Sequence, residues 1–356
     1  MTPMADDTAA DDTVSDAAVH KRGRGGSAPT IYDIARLADV NPSTVSRALS
    51  QPGRINAKTE ARIRAAAEEL NYRVNPIARA LPTGRTSTIG LVVADITNPV
   101  IFGIVRGAER AAAEAGYTLI IAESQESGER EATTIERILP SVDGLVLATT
   151  RLGDAQIGQL AARKPTVVIN REVAGLTSIL PDVERGVGQL VDHLADLGHR
   201  SLAYLSGPET SWITARRWEA LLVAAPRRGM SVVEIGPGLP TLEGGAAAMS
   251  RVSASGVTAV IAFNDLMAIG LMRAAVERGL TVPTDLSIAG FDDIFGSDFT
   301  TPGITTVRTP LADAGERAVR HLLERVGRDP SASGAESMAL LPTDLVVRGS
   351  TGRPPS

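Results

Sequence analysis

The 356-residue chain contains no cysteine, which excludes disulfides, thiolate metal sites and cysteine nucleophiles. Four histidines (His20, His193, His199 and His321) are too scattered to assemble a metal cluster, so no metal or other cofactor is expected. Long apolar runs are missing too: nothing approaches the ~20 residues of a membrane span, and no membrane partner is expected. The opening stretch MTPMADDTAADDTVSDAAVHKRGRGG is acidic and has no apolar centre, unlike a secretory leader or an arginine-rich transit peptide. The cytoplasm is the expected compartment. What is present is the composition of a globular protein, 43% hydrophobic and 22% charged. Its length is about 2.4 times a 150-residue domain, which calls for two or three compact units.

Net charge is −5, but it is unevenly placed. Residues 1–20 carry five Asp and no Lys or Arg, residues 21–85 carry 12 Lys and Arg against five acids, and residues 86–356 carry 24 against 31. A compact cationic module on an acidic body suits a polyanion-binding head, because counterion release scales with local basic charge.

Residues 1–28 show no apolar periodicity and read as a disordered tail. Within it, KRGRGG (Lys21 to Gly26) is either a basic arm for phosphates or a flexible linker. Helical grammar begins at Thr30, a cap for a helix with Ile31, Ile34, Ala35 and Ala38 on one face. After Asp39-Val40, the pair Asn41-Pro42 sets a cap and then proline at a first helical position, predicting a helix from Ser43 to about Leu49 that stops at Gln51-Pro52-Gly53. Asn56 caps a third helix, Ala57 to Leu70, with Ile63, Ala66, Ala67 and Leu70 on one side. Three short helices make a small bundle.

Beyond Gly84 apolar runs alternate with amphipathic helices. IGLVVA (89–94), YTLIIA (117–122), GLVLA (144–148), PTVVIN (165–170), LAYLSG (202–207), TAVIAF (258–263) and LSIAGF (286–291) read as strands buried on both faces. Helices such as Val100 to Gly116 and Asn264 to Gly279 lie between them, each closed by glycine. The pattern predicts two doubly wound parallel α/β sheets with a cleft between them, and ligands outside the carboxyl ends of the strands. The residues just past those ends are Asp95, Ser124, Asn170-Arg171, Asn264-Asp265 and Asp292-Asp293.

TIYDIARLADVNPSTVSRALS is a helix, a tight turn and a second helix whose exposed face carries Pro42, Ser43, Ser46 and Arg47. Such a pair lays its second helix in a major groove, with Ser and Arg reaching base edges. With LNYRVNPIARAL, TSTIGLVVADITNP, ERAAAEAGYTL, VDGLVL, DHLADLGHRSLAYLSGP, AFNDLMAIGLMRA, VPTDLSIAGFDD, TTVRTP and LPTDLVVRGST following in order, the sequence resembles LacI-type transcriptional regulators over roughly residues 29–350.

The resemblance implies an all-α helix-turn-helix head at 29–74, a hinge at 75–86, and a periplasmic-binding-protein-like body at 87–350 that binds effector and dimerises, followed by a tail at 351–356. One lobe is expected at about 87–181 and 309–335, the other at about 182–308 and 336–350. Operator DNA contacts are expected from Thr30, Tyr32, Asn41, Pro42, Ser43, Thr44, Ser46, Arg47 and Asn56, with Arg79 and Leu81 from the hinge. Pro76 to Leu81 can form one short helix, too short to persist alone in water. In the family two such helices enter the minor groove of a pseudo-palindromic double-stranded operator, and the leucine at the position of Leu81 wedges between base pairs. Pro82 departs from the Lys or Arg often found there.

For the small-molecule effector, a carbohydrate in this resemblance, the implied positions are Asp95, Phe102, Ser124, Asn170, Arg171, Arg216 or Arg217, Asn264 and Asp292. Their donors and acceptors suit a polyhydroxylated ligand, and Trp212 or Trp218 offers an aromatic face. Ala220 and Val183 stand where the family usually has glycine and often has asparagine. His193, on a helix, and His199, after its closing Gly198, read as packing and termination residues, and Arg308 as a residue at a crossing between lobes. An enzyme is not expected: no G-x-G-x-x-G opens a helix after a strand, P-loop and G-x-S-x-G are missing, and Asp292-Asp293 has no placed acid/base partner. An exported solute-binding receptor is disfavoured by the basic head. The chain closes on STGRPPS without leucine heptads, so a homodimer is the expected assembly.

Overall fold

The structure, a computed structural model, describes residues 29–50, 53–72, 85–327 and 338–355. The expected tail at 1–28, the KRGRGG arm and most of the hinge, including Arg79 and Leu81, lie outside the described residues. Two compact units fall on either side of position 75, and each is described by itself.

The first unit holds α1 (Ile31–Leu37), α2 (Pro42–Ser50) and α3 (Ala57–Glu69). Thr30 starts α1, and the Asp33 carboxylate accepts from its backbone N–H at 2.9 Å and its hydroxyl at 2.7 Å. Between α1 and α2 the chain turns through Asp39 at φ 47°, a left-handed conformation that Asp tolerates. Asn56 caps α3 by accepting from the Lys58 N–H at 2.9 Å. Ile34, Val45 and Ile63, one from each helix, are fully buried together with Ala35, Ala48 and Ala66. Each large aliphatic contributes about 1.5–3 kcal/mol on burial, which is what holds three short helices that would not persist alone.

The second unit contains two predominantly parallel sheets, as expected, and each has six strands. The first is ordered β11-β5-β4-β3-β1-β2 and uses β1 (Thr88–Val93), β2 (Thr118–Glu123), β3 (Gly144–Ala148), β4 (Thr166–Ile169), β5 (Thr177–Pro181) and β11 (Met338–Leu341). The second is ordered β12-β10-β9-β8-β6-β7 and uses β6 (Ser201–Leu205), β7 (Ser231–Ile235), β8 (Ala259–Ala262), β9 (Ser287–Asp292), β10 (Thr305–Arg308) and β12 (Asp344–Val346). All pairings are parallel except β10 with β12. One expectation fails at an edge: β2 borders the first sheet and is not buried on both faces, with Ile121 39% exposed.

Crossover helices cover the sheets: α4 (Val100–Glu114), α5 (Gly128–Ile138), α6 (Asp154–Arg163) and α11 (Leu311–Arg325) in the first lobe, and α7 (Val183–Leu197), α8 (Trp212–Arg227), α9 (Leu242–Ser255) and α10 (Asp265–Glu277) in the second. Helices α4 and α11 cross backbone to backbone at two glycines. A methyl on Gly107 would sit 1.8 Å from the Ala312 carbonyl oxygen, and one on Gly315 would sit 2.0 Å from that of Ile104.

The chain passes between lobes after β5, after β10 and after β11. The last passage corrects the expected boundary at 335/336: β11 pairs with β5, so the first lobe runs on to Leu341. The closing segment is also more than a tail. The Thr351 hydroxyl bonds His193 Nε2 at 2.9 Å, and the Gly352 carbonyl bonds buried His199 at 2.9 Å. Both histidines serve packing, and burial lowers the pKa of each.

Candidate functional site

In the first unit α2 buries Val45 and Ala48 and turns Ser43, Ser46 and Arg47 outward, because residues 43, 46 and 47 lie about one turn apart on the face opposite the core. Asn41 is exposed beside them, Pro42 and Thr44 are half-buried, and Tyr32 is exposed on α1. No ion pair holds Arg47 among the described residues. Thr30 and Asn56 are exposed, yet each is engaged locally, Thr30 with Asp33 and Asn56 as a helix cap. Hydrogen bonding to Thr30 holds the Asp33 carboxyl below its usual range.

In the second unit the carboxyl ends of the two sheets face each other. All three passages leave from carboxyl ends, at Pro181, Arg308 and Leu341. Leu266 and Ile294, just past β8 and β9, pack into a first-lobe apolar cluster that contains Val93, Ala148 and Ile169, the last residues of β1, β3 and β4. Strand order reverses between β1 and β3 and again between β6 and β8, the places where open α/β sheets receive ligands.

Arg217 and Asp292 anchor the second lobe. The guanidinium donates to Asp292 Oδ1 at 2.8 Å and to the Phe263 carbonyl, and stacks 4.1 Å from the centroid of Phe291 and 5.2 Å from that of Phe263. Side chains of the pair are 5% and 12% exposed. Arg216, one position earlier and about 100° around α8, goes elsewhere. It pairs with Glu184 and Glu219, and its guanidinium stands 5.7 Å over Trp212, on the groove between α7 and α8. The structure therefore separates the two arginines that residue type alone left equivalent, and it removes Arg216 from the cleft group. Neither tryptophan flanks Arg217: Trp212 attends Arg216, and Trp218 stacks on Tyr204. The rings beside Arg217 are Phe263 and Phe291, which sequence reasoning missed because both read as strand core.

Asn264 is 2% exposed and already occupied at both ends. Its Oδ1 caps α10 by accepting from the Met267 N–H at 2.9 Å, and its Nδ2 donates to the Pro240 carbonyl at 3.0 Å. One amide hydrogen and one lone pair remain for a ligand. Asp265 is fully buried, accepting from the Thr306 hydroxyl at 2.6 Å and the Ile294 N–H at 3.0 Å, and burial pushes its carboxyl well above the usual range. Asp293 binds Arg308 at 2.7 Å and Arg348 at 2.6 Å. Burial would raise the pKa of Asp293, but those two hydrogen bonds prevail and lower it.

In the first lobe, Asp95 Oδ1 accepts from the Thr97 N–H at 2.8 Å and hydroxyl at 2.6 Å, leaving Oδ2 open. Phe102 is 49% exposed on α4. Asn170, at φ 60°, turns the chain out of β4, and Arg171 pairs with Asp154 at 2.7 Å while its buried Nε has no partner. Ser124 after β2 is 1% exposed, with an unpartnered hydroxyl. The segment after β3, Thr149-Thr150-Arg151, was missed in the sequence although it borders the strand reversal. Arg151 pairs with Glu126 through Nε at 2.7 Å, and its backbone N–H donates to Glu131 at 2.7 Å. Burial raises the Glu131 carboxyl above its ordinary value.

Backbone strain marks the same region. Gln125, Glu126, Thr149, Asn170, Asp292 and Asp293 all have positive φ, six of the nine non-glycine residues that do among those described. Such conformations persist where surrounding structure over-determines them, as at ligand sites.

Residues 30–75 match the family model for bacterial regulatory proteins of the lacI family, and residues 191–351 match a periplasmic binding protein-like domain. The chain is 33% identical to the HTH-type transcriptional repressor CytR of Escherichia coli K12, over 91% of this chain and 97% of that protein. Among solved structures it is similar to the lac repressor dimer bound to operator and the anti-inducer ONPF, with a TM-score of 0.82, 28% identity and coverage of 92% of this chain and 100% of the other. It is also similar to a LacI family transcriptional regulator from Enterococcus faecium with bound ribose, with a TM-score of 0.63, 27% identity and coverage of 74% and 98%. The chain belongs to the lacI family of bacterial regulatory proteins, DNA-binding transcriptional repressors rather than enzymes.

Proposed function

We propose that the chain represses transcription as a homodimer on a pseudo-palindromic operator, and that an uncharged sugar held between the two lobes of the second unit controls its DNA affinity. The observation that supports the effector reading is a pair of buried, unpartnered polar atoms at the carboxyl end of the first sheet, Arg171 Nε and Ser124 Oγ. An unsatisfied buried polar atom costs about 1–3 kcal/mol, a cost that a hydroxyl-rich ligand removes. Arg217 and Asp292 present the matching donors and acceptors on the second lobe, with Asp95, Asn170 and Asn264 adding capacity. A sugar is bound by the Enterococcus faecium relative.

Charge selects a neutral ligand over a phosphorylated one. The three arginines of the candidate site, Arg171 and Arg151 past strand ends and Arg217 on α8, already have carboxylates: Asp154, Glu126 and Asp292 respectively. A phosphate would have to displace one of them.

Operator reading falls to Ser43, Ser46 and Arg47 on α2, and two-fold symmetry of a dimer then demands two half-sites in opposite orientation. The test is calorimetric titration of the full chain with ribose, hexoses and their phosphate esters, followed by operator titration with and without the sugar that binds. The reading expects a neutral sugar to bind and to change operator affinity by a factor corresponding to about 1–3 kcal/mol. Tight binding of phosphate esters alone, or operator affinity indifferent to a bound sugar, overturns it.

A further inference from the structure

We infer that the second lobe carries another small-molecule site, separate from the cleft, built to take a polyhydroxylated amine of monosaccharide size. Its place is a cavity of about 400 Å³ between the first turns of α8 and the carboxyl ends of β6 and β7, lined by Ser206, Thr214, Trp218, Gly236, Glu209 and Glu234. That volume lies at the small end of the ligand-pocket range, about 300–1,000 Å³.

Two of the lining residues carry the inference. Ser206 is 1% exposed and Thr214 7% exposed, and the hydroxyl of each is buried with no hydrogen-bond partner. A threonine inside a helix can return its hydroxyl to a carbonyl of the preceding turn. Thr214, the third residue of α8, has no preceding helical turn and makes no such bond, so its hydroxyl is left for another partner. Two orphaned hydroxyls on one cavity supply two donors and up to four acceptors at fixed positions, which matches a ligand with vicinal hydroxyls.

The rest of the lining sets the class. Trp218 is half-buried and backed by Tyr204, its ring stacked at 6.1 Å between centroids and 9° between planes, so one aromatic face is held rigidly for the C–H side of a sugar ring. Glu209 and Glu234 are exposed carboxylates on the rim, and no Lys or Arg lines the cavity. An anion is repelled and an amine attracted.

The residues that line this site lie on a different face of α8 from the Arg217 group. Arg217 points to Phe263 and Asp292, while Trp218, about 100° further round the helix, and Thr214, about 60° further round, line the cavity at β6 and β7. Space over Ser206 depends on residue 236 being glycine: a methyl there would sit 1.7 Å from the Ser206 hydroxyl oxygen and force it aside.

D-glucosamine is the probe, with D-glucose 6-phosphate as its anionic counterpart, each titrated into the full chain by calorimetry and by Trp218 emission in a Trp212→Phe background. Glucosamine is expected to bind saturably and to shift Trp218 emission, and glucose 6-phosphate to do neither. Thr214→Val, which keeps shape and removes one orphaned hydroxyl, should weaken glucosamine at least tenfold, as should Gly236→Ala. Arg171→Ala, which disturbs only the cleft, should leave it unchanged. Failure of glucosamine to perturb Trp218 at tens of millimolar, or undiminished binding in both Thr214→Val and Gly236→Ala, overturns the second site. Loss in Arg171→Ala with retention in Thr214→Val overturns it as well, by assigning the binding to the cleft.

Discussion

Arg217 donates to Asp292 at 2.8 Å with both side chains almost closed to solvent, so neither can be removed without leaving the other as an unpaired buried group. Breaking such a pair from one side costs about 3–5 kcal/mol, whereas replacing both partners by apolar residues is often neutral. Asp292→Ala is therefore expected to lower the denaturation midpoint sharply, and Arg217→Met with Asp292→Leu to recover most of it while remaining blind to the effector. Urea titrations of the two variants check this. Equal stability of Asp292→Ala and wild type would mean that the pair carries no stability.

Asp265 makes stability depend on pH with a defined sign. Its folded-state pKa is raised above the ordinary 3.8, mainly by burial, so the folded chain holds a proton that the unfolded chain releases first. The contribution is fully present below that ordinary value and is lost as pH rises through the folded value. Relative to Asp265→Asn, which cannot titrate, wild type should lose stability as pH is raised from about 4 toward neutrality. Parallel slopes for the two proteins in unfolding experiments across that range would refute the protonated state.

Tyr204 buries a hydroxyl that has no partner. Removing an unsatisfied polar atom while keeping the ring should be neutral or stabilising, by up to about 1 kcal/mol. Tyr204→Phe is expected to raise the melting temperature by roughly 2 °C, or at least not to lower it. A clear loss of stability would show that the hydroxyl is satisfied in solution.

Arg47 is exposed on α2 and has no ion pair among the described residues. Arg47→Ala should cost about 1–3 kcal/mol on operator and relax preference at one base pair per half-site. Gel-shift titrations on operator and on random DNA decide the point: an equal loss on both would assign Arg47 to phosphate instead.

Much of this architecture was legible because burial imposes simple periods. Seven strands and the three helices of the head were visible as apolar runs or one-sided patterns. The strands that escaped have physical reasons. Thr177–Pro181 opens on Thr-Ser and closes on a residue that reads as a breaker, yet Pro181 stands at the sheet's carboxyl end opposite Leu341. Ser231–Ile235 is an edge strand with Val233 41% exposed, so it lacks a continuous apolar signature. At the site, residue type indicated Arg216 or Arg217 but could not choose, since the choice is an angle about a helix axis. Asn264 was visible as a strand-end amide, while its double use as cap and strap depends on Pro240, 24 residues away. The orphaned hydroxyls were invisible in principle, because being unpartnered is a property of surroundings.

The three passages between lobes are only one or two residues long: Asp182, Thr309-Pro310 and Pro342-Thr343. Two of them are stitched together, the Asp182 N–H donating to the Leu341 carbonyl at 2.9 Å and the Thr343 hydroxyl to the Asp182 carbonyl at 2.7 Å. Three short straps leaving side by side behave like the leaves of a door hinge. They permit bending about one line and resist both sliding and torsion, so the relative motion of the lobes reduces to a single coordinate. A signal carried by that coordinate has a magnitude and a sign but no direction to lose. A nick in any one strap would leave two others to keep the axis, so cleavage there should be silent in binding while a second cut should not be.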